Sequence, residues 1–145
     1  MRSAQESFFG NMLHPVKVRL FMLVYLPSAF FSGVLPVKAN EKECTVRVPF
    51  KWFSQNPFRS TYFACLAMAA EMSTGILPLS LLHKRKPGIS MLVTKLEATY
   101  FKKATGTTWF TCAQGLAFRE VIEDAVSDGQ SHEFIAESVG RNAEG

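Results

Sequence analysis

The stretch Asn56-Pro57-Phe58-Arg59-Ser60-Thr61-Tyr62-Phe63-Ala64-Cys65-Leu66-Ala67-Met68-Ala69-Ala70-Glu71-Met72-Ser73-Thr74-Gly75 decides how this chain is read. Its first residues are loop chemistry: asparagine before proline favours a turn, and proline is tolerated close to a helix start. Ser60 or Thr61 can cap a helix that runs to about Gly75, with Gly75 and Pro78 as stop signals. This helix is thin. Ala64, Ala67, Ala69, Ala70, Ser73 and Gly75 let neighbouring backbones approach closely, and a thin helix almost without charge belongs in the middle of a domain.

Outward from that helix the period changes. Before it, residues 34–39 and 43–50 read as two strands around the polar turn Asn40-Glu41-Lys42, with Cys44, Val46 and Val48 alternating against Thr45 and Arg47. After it, residues 90–101 alternate again. Leu92, Leu96, Ala98 and Tyr100 share one side, and Lys95, Glu97 and Thr99 the other. Residues 102–106 turn the chain, and 107–114 form the next strand. From 117 to 126 the period lengthens, so that Phe118, Val121, Ile122, Ala125 and Val126 fit one helical face. Asp128-Gly129 ends that helix, and 132–139 reads as one more strand. Strands with so few helices between them favour an α+β fold with an antiparallel sheet over a doubly wound parallel one.

The 145 residues make about one domain, and a 48% hydrophobic composition excludes intrinsic disorder. No repeat of 20–50 residues is visible. The net charge of +4 is mild, and its one dense run is His83-Lys84-Arg85-Lys86. No zinc-finger spacing, basic helix or aromatic sheet motif points to nucleic acid. Cys44, Cys65 and Cys112 are odd in number and widely spaced, which argues for buried thiols in a reducing compartment. His14, His83 and His132 share no ligand spacing, so neither metal nor cofactor is expected. Residues 20–37 carry no charge and follow Lys17 and Arg19, as a membrane anchor would. Pro27 and Pro36 interrupt the run, with Ser28, Ser32 and Gly33 between them. The expectation is a helix over 16–26, a turn over 27–33, and a cytoplasmic protein that has no membrane partner.

Glu71 is the candidate for chemistry. Between Arg59 and Lys84 it is the only charged residue, and its helical neighbours are Ala64, Ala67, Met68 and Gly75. A carboxylate on that face is partly desolvated, which raises its pKa and suits it to act as a general base or nucleophile. The plainer reading is a carboxylate that escapes to solvent or to a partner subunit's pocket and simply pairs with a cation. Asn56, one loop earlier, can position a water or a thioester carbonyl, or simply bond its own turn. The helix start at Tyr62, Phe63 and Ala64 offers unpaired N–H groups to an oxyanion. Ser90, after Pro87-Gly88, can add a hydroxyl or be an ordinary strand start.

The strings Asn56–Ala64 and Ala69–Gly75, with Pro87-Gly88-Ile89-Ser90 and Ser138-Val139-Gly140-Arg141-Asn142, resemble the hotdog thioesterase superfamily, and most closely its thioesterase-like branch of uncharacterised function. The resemblance covers about residues 26–142. It implies a hotdog fold, a long central helix wrapped by a curved antiparallel sheet, over residues 34–145 after an amino-terminal helical segment of residues 1–33. It also implies a homodimer or homotetramer with sites at the subunit interface and an acyl-CoA or other acyl thioester as substrate. Glu71 would then be base or nucleophile, Asn56 would orient water or substrate, and Tyr62–Ala64 would hold the oxyanion. Lys84-Arg85-Lys86 would meet CoA phosphates. Characterised relatives place a His-Gly-Gly-like turn where this chain has Tyr62, Phe63 and Ala64. A sensor that binds acyl-CoA or fatty acyl chains without hydrolysis is therefore the alternative. The family also runs on into a further strand after residues 142–145, so that strand is expected to be missing.

Overall fold

The computed structural model describes residues 3–85 and 88–145. Among the described residues five α-helices and four strands follow one another as α1 (Ala4–Leu13), α2 (Pro15–Tyr25), α3 (Pro27–Ser32), β1 (Leu35–Ala39), β2 (Cys44–Val48), α4 (Phe63–Leu82), β3 (Thr108–Cys112), α5 (Gly115–Asp128) and β4 (Val139–Arg141), with one 3-10 turn at Trp52–Ser54. The strands form one antiparallel sheet in the order β1-β2-β3-β4, and α4 packs across β2 and β3. This is the α+β arrangement with a long central helix that the sequence implies.

The alternation in β2 explains the sheet's position. Cys44, Val46 and Val48 are completely buried, whereas Arg47 on the other face is exposed. Their side chains join Cys65, Ala69, Met72, Ile76 and Leu77 of α4 in one core. Across the ladder Cys44 stands opposite Cys112 and Thr45 opposite Thr111. The two threonine hydroxyls hydrogen-bond at 2.8 Å, a cross-strand pair that helps fix register. All three cysteines are buried free thiols. Burial pushes the Cys44 thiol up to about 12, with Cys112 beside it adding to the effect.

Several boundaries differ from the sequence reading. Helix α4 passes through both expected stops and ends at Leu82, with Pro78 inside it. Proline forfeits one helical hydrogen bond, but Ile76, Leu77, Pro78 and Ser80 are all buried, and that packing offsets the loss. The expected turn over 27–33 is the short helix α3, which closes at Gly33 in the left-handed region (φ 81°). Helix α1, which falls in the expected amino-terminal helical segment but ahead of the one helix bounded there, opens on a capping box between Ser3 and Glu6. It lies on the core through Phe8, Phe9 and Met12. Gln5 donates to the Ser80 hydroxyl and accepts from Arg119, tying α1 to α4 and α5.

The largest departures lie after α4. Residues 90–101, expected as a sheet strand, run without a turn or bend but are outside the sheet. Of the strand expected over 132–139, only its end joins the ladder, as β4. The approach to β4 is held instead by side chains: the Ser73 and Ser138 hydroxyls meet at 2.6 Å, and the Glu137 N–H donates to Gln114.

Residues 20–37 form parts of α2, α3 and β1 rather than one long helix. Helix α4 is itself long and apolar enough to span a membrane, but half of it is buried inside the fold, as in a core helix.

Candidate active site

The loop before α4 is built around Asn56. Its side-chain carbonyl accepts from the Phe58 N–H (2.9 Å), the Ser60 N–H (3.2 Å) and the Ser60 hydroxyl (3.1 Å). Its backbone N–H donates to the Ser60 carbonyl, and its backbone carbonyl accepts from the Arg59 N–H. Arg59 sits at φ 59°, a left-handed conformation that a non-glycine residue adopts at a cost. The loop is closed at its base, where the Tyr62 N–H donates to the Ser54 carbonyl, and it is tied to the 102–106 turn by Thr61 N–H to Ala104 at 2.7 Å.

This closure leaves the start of α4 uncapped. Ser60, one of the two expected caps, spends its hydroxyl on Asn56, and no side chain caps the helix at Tyr62. Cys65 and Leu66 donate to the Tyr62 carbonyl, whereas the Phe63 and Ala64 N–H groups have no partner among the described residues. Free N–H groups at the positive end of a 20-residue helix can hold a negative oxygen.

An open cavity of about 400 Å³ lies at this point. Asn56, Thr61, Tyr62 and Phe63 line it from the loop and helix start, and Tyr100, Lys102 and Lys103 from the far side. Thr61 was not singled out by the sequence as a site residue. It is 4% exposed, and its hydroxyl is the one buried side-chain polar atom left without a partner among the described residues. Such an atom carries an unmet hydrogen bond. Its one legible mark in the sequence is a threonine at a helix start, which reads as a cap.

Glu71 lies elsewhere on α4. It is eight residues beyond Phe63, about 12 Å along the helix, and does not line the cavity. Its side chain is exposed in the single chain and forms no ion pair among the described residues. The apolar surface of α4 still withholds water from it, and that desolvation pushes its carboxyl above the usual carboxylate range. The carboxylate folds along the helix over Gly75, with Oε1 3.2 Å from where a Cβ would stand.

Of the expected site residues, the structure therefore brings Asn56, Tyr62 and Phe63 to one cavity and keeps Ala64 beside it. Glu71 and Ser90 are outside. Ser90 is exposed and makes no hydrogen bond among the described residues. The basic turn is at the opposite end of α4, about 30 Å away by helix rise. Arg85 there is paired with Glu123 at 2.9 Å, and Lys86 and Pro87 lie outside the described residues. Within one chain that turn cannot reach a ligand's head group at the cavity. No cluster of metal-ligating side chains occurs among the described residues.

The same arrangement of sheet and central helix is found in solved structures. A protein of unknown function from Chlorobaculum tepidum superposes with a TM-score of 0.72 at 16% identity, over 91% of this chain and 83% of that one. A probable thioesterase of unknown function from Pseudomonas aeruginosa gives 0.70 at 17% identity, over 94% and 90%. A candidate thioesterase from Shewanella oneidensis gives 0.58 at 13% identity, over 72% and 71%. The chain has the hotdog fold. In sequence, no family model and no curated protein matches it.

Proposed function

We propose that this hotdog protein hydrolyses an acyl thioester, with acyl-CoA as the substrate class. The observation that carries the reading is the convergence at the start of α4: Asn56, Phe63 with its free N–H and Thr61 with its buried unpaired hydroxyl line one cavity, and the free N–H of Ala64 is next along the helix. The thioester carbonyl oxygen would accept from the Phe63 and Ala64 N–H groups. Glu71 would take a proton from water, and the resulting hydroxide oxygen would bond to the carbonyl carbon. Collapse of the oxyanion then breaks the C–S bond, and the thiolate leaves and takes up a proton, giving a carboxylic acid and a free thiol. Glu71 acting directly as nucleophile gives the same products through an anhydride. Because Glu71 is outside its own chain's cavity, the reading requires a homodimer in which Glu71 of one chain serves the cavity of the other. The thioesterase descriptions of the Pseudomonas and Shewanella proteins support the reaction class.

A non-catalytic acyl-CoA binder is the second reading, and Asn56 favours it: its carbonyl oxygen is fully used by its own loop. Hydrolysis assays over a range of acyl-CoA chain lengths, with Glu71→Ala alongside, separate the two. Turnover by the wild type that Glu71→Ala loses supports the enzyme. Equal binding by both proteins with no turnover by either establishes the binder.

A further inference from the structure

One face of the molecule is aromatic and positive, and no step of the reaction above uses it. Phe30, Phe31, Phe53 and Trp52 form a continuous chain of ring contacts, at centroid distances of 5.2, 5.7 and 4.9 Å, from the end of α3 to the turn at Trp52–Ser54. Trp52 is 75% exposed, Phe53 56% and Phe31 47%. Beside the rings lies an open hollow of about 150 Å³, lined by Arg19, Phe30, Gly33 and Arg47. Lys51 joins it, because a Cβ on Gly33 would stand 3.0 Å from the Lys51 Nζ. None of these residues lines the cavity at the start of α4.

The charges on this face have one sign. Residues 7–40 and 44–70 contain no Asp or Glu, yet they carry Lys17, Arg19, Lys38, Arg47, Lys51 and Arg59. Lys38 pairs with Glu43, and every other ion pair among the described residues lies outside these two stretches. Arg19, Arg47 and Lys51 therefore face the hollow with no carboxylate paired to them. The uncharged run 20–37, anchor-like in the sequence, contributes to the same side of the argument. Folded into α2, α3 and β1, it still exposes Leu20, Leu23, Val24 and Tyr25 along α2, next to Arg19.

We propose that this face docks on an anionic lipid surface. The hollow between Arg19, Arg47 and Lys51 takes a lipid phosphate, and Trp52 and Phe53 enter the headgroup layer, where an aromatic ring gains burial at little cost to polar groups. Pro27 and Pro36 interrupt the run against a spanning helix, but a peripheral contact needs no continuous run. Charge argues against a second copy as the occupant, since this face set against itself brings Arg19, Arg47 and Lys51 of both chains together without a counter-charge. Ring geometry argues against a nucleic acid. Trp52 meets Phe53, and Phe30 meets Phe31, edge to face, which leaves no ladder of parallel faces for bases. The proposal is independent of thioester chemistry, because a catalytically dead protein docks in the same way.

Flotation of the whole chain with vesicles tests it. The protein should float with phosphatidylcholine vesicles containing about one third phosphatidylglycerol at least tenfold more tightly than with phosphatidylcholine alone, and salt should release it. Lys51→Glu should weaken binding about tenfold, whereas Lys42→Glu, the same charge change at the far end of the β1-β2 hairpin, should alter it less than about twofold. Trp52→Ala, at an exposed position, should weaken binding about fivefold with unchanged mass by light scattering. Circular dichroism checks that each variant folds. Failure to float with the anionic vesicles at low salt overturns the proposal. So does an equal loss in Lys51→Glu and Lys42→Glu, which would reduce the effect to net charge. Release by glycerol phosphate at the same phosphate concentration overturns it in favour of a soluble anion, and tighter binding to a single-stranded oligonucleotide in favour of nucleic acid. A fall in mass on Trp52→Ala overturns it in favour of a second copy.

Discussion

The Glu71 carboxylate lies over Gly75 one helical turn further on, its Oε1 3.2 Å from the place a Cβ would occupy. The glycine thus provides the space in which the only charged group on this part of α4 is parked. Replacing it gives two opposed effects. Gly75→Ala should stabilise the helix by about 0.5–1 kcal/mol, because alanine is the better helix former and the flexible Glu71 tip can move aside. The same displacement should lower thioester turnover. Chemical denaturation and a hydrolysis assay on one preparation test both.

Glu71 also makes a pH prediction with a definite sign. Desolvation raises its pKa in the folded chain above that in the unfolded chain, so the folded state holds the proton more tightly. Its contribution to stability is therefore present below the unfolded pKa and lost as pH rises through the folded value. Glu71→Gln should not lower the melting temperature at neutral pH, and the gap to wild type should move in the variant's favour between pH 4 and pH 7. Turnover should behave oppositely. The wild-type rate should climb with pH through the raised pKa, and Glu71→Gln should fall by roughly 10²-fold or more.

Thr61→Val should separate stability from activity at a single atom. Removing a buried hydroxyl that has no partner relieves a desolvation cost of about 1 kcal/mol or more, so the variant should melt higher. If that hydroxyl serves the ligand, acyl-CoA turnover or affinity should drop by roughly tenfold, the worth of one hydrogen bond. A variant unchanged in both measurements would remove Thr61 from the site.

Asn56 can be divided in the same manner. Asn56→Ala deletes the acceptor for the Phe58 N–H, the Ser60 N–H and the Ser60 hydroxyl, and should lower the melting temperature. Asn56→Asp keeps that acceptor and should hold the loop. Its loss of the amide N–H₂ should show only in turnover, as a lower rate with near-normal melting.

The elements that were legible in the sequence are those in which one periodic face meets the core. Cys44, Val46 and Val48 gave β2 its alternation, and Phe118 and Ile122 marked the buried side of α5. Helix α4 was placed but cut short, because Gly75 and Pro78 are local stop signals while the burial of Ile76, Leu77 and Ser80 is a tertiary one. The desolvation of Glu71 followed from its alanine and methionine neighbours. The fate of Ser60 and Thr61 did not, since either can cap a helix and only the Asn56 loop decides between them. Residues 90–101 show the limit most clearly: their pattern specifies a strand, but a strand's partner lies in another stretch of chain.

The buried thiols have a practical consequence. Cys44 and Cys112 face each other across β2 and β3, and Cys65 sits on α4. An alkylating reagent can reach them only when the sheet or the helix comes apart locally. A pulse of reagent followed by mass analysis thus reads two separate clocks in the unmodified protein, one for fraying of the central ladder and one for detachment of the long helix. Ligand added during the pulse would show which of the two it slows.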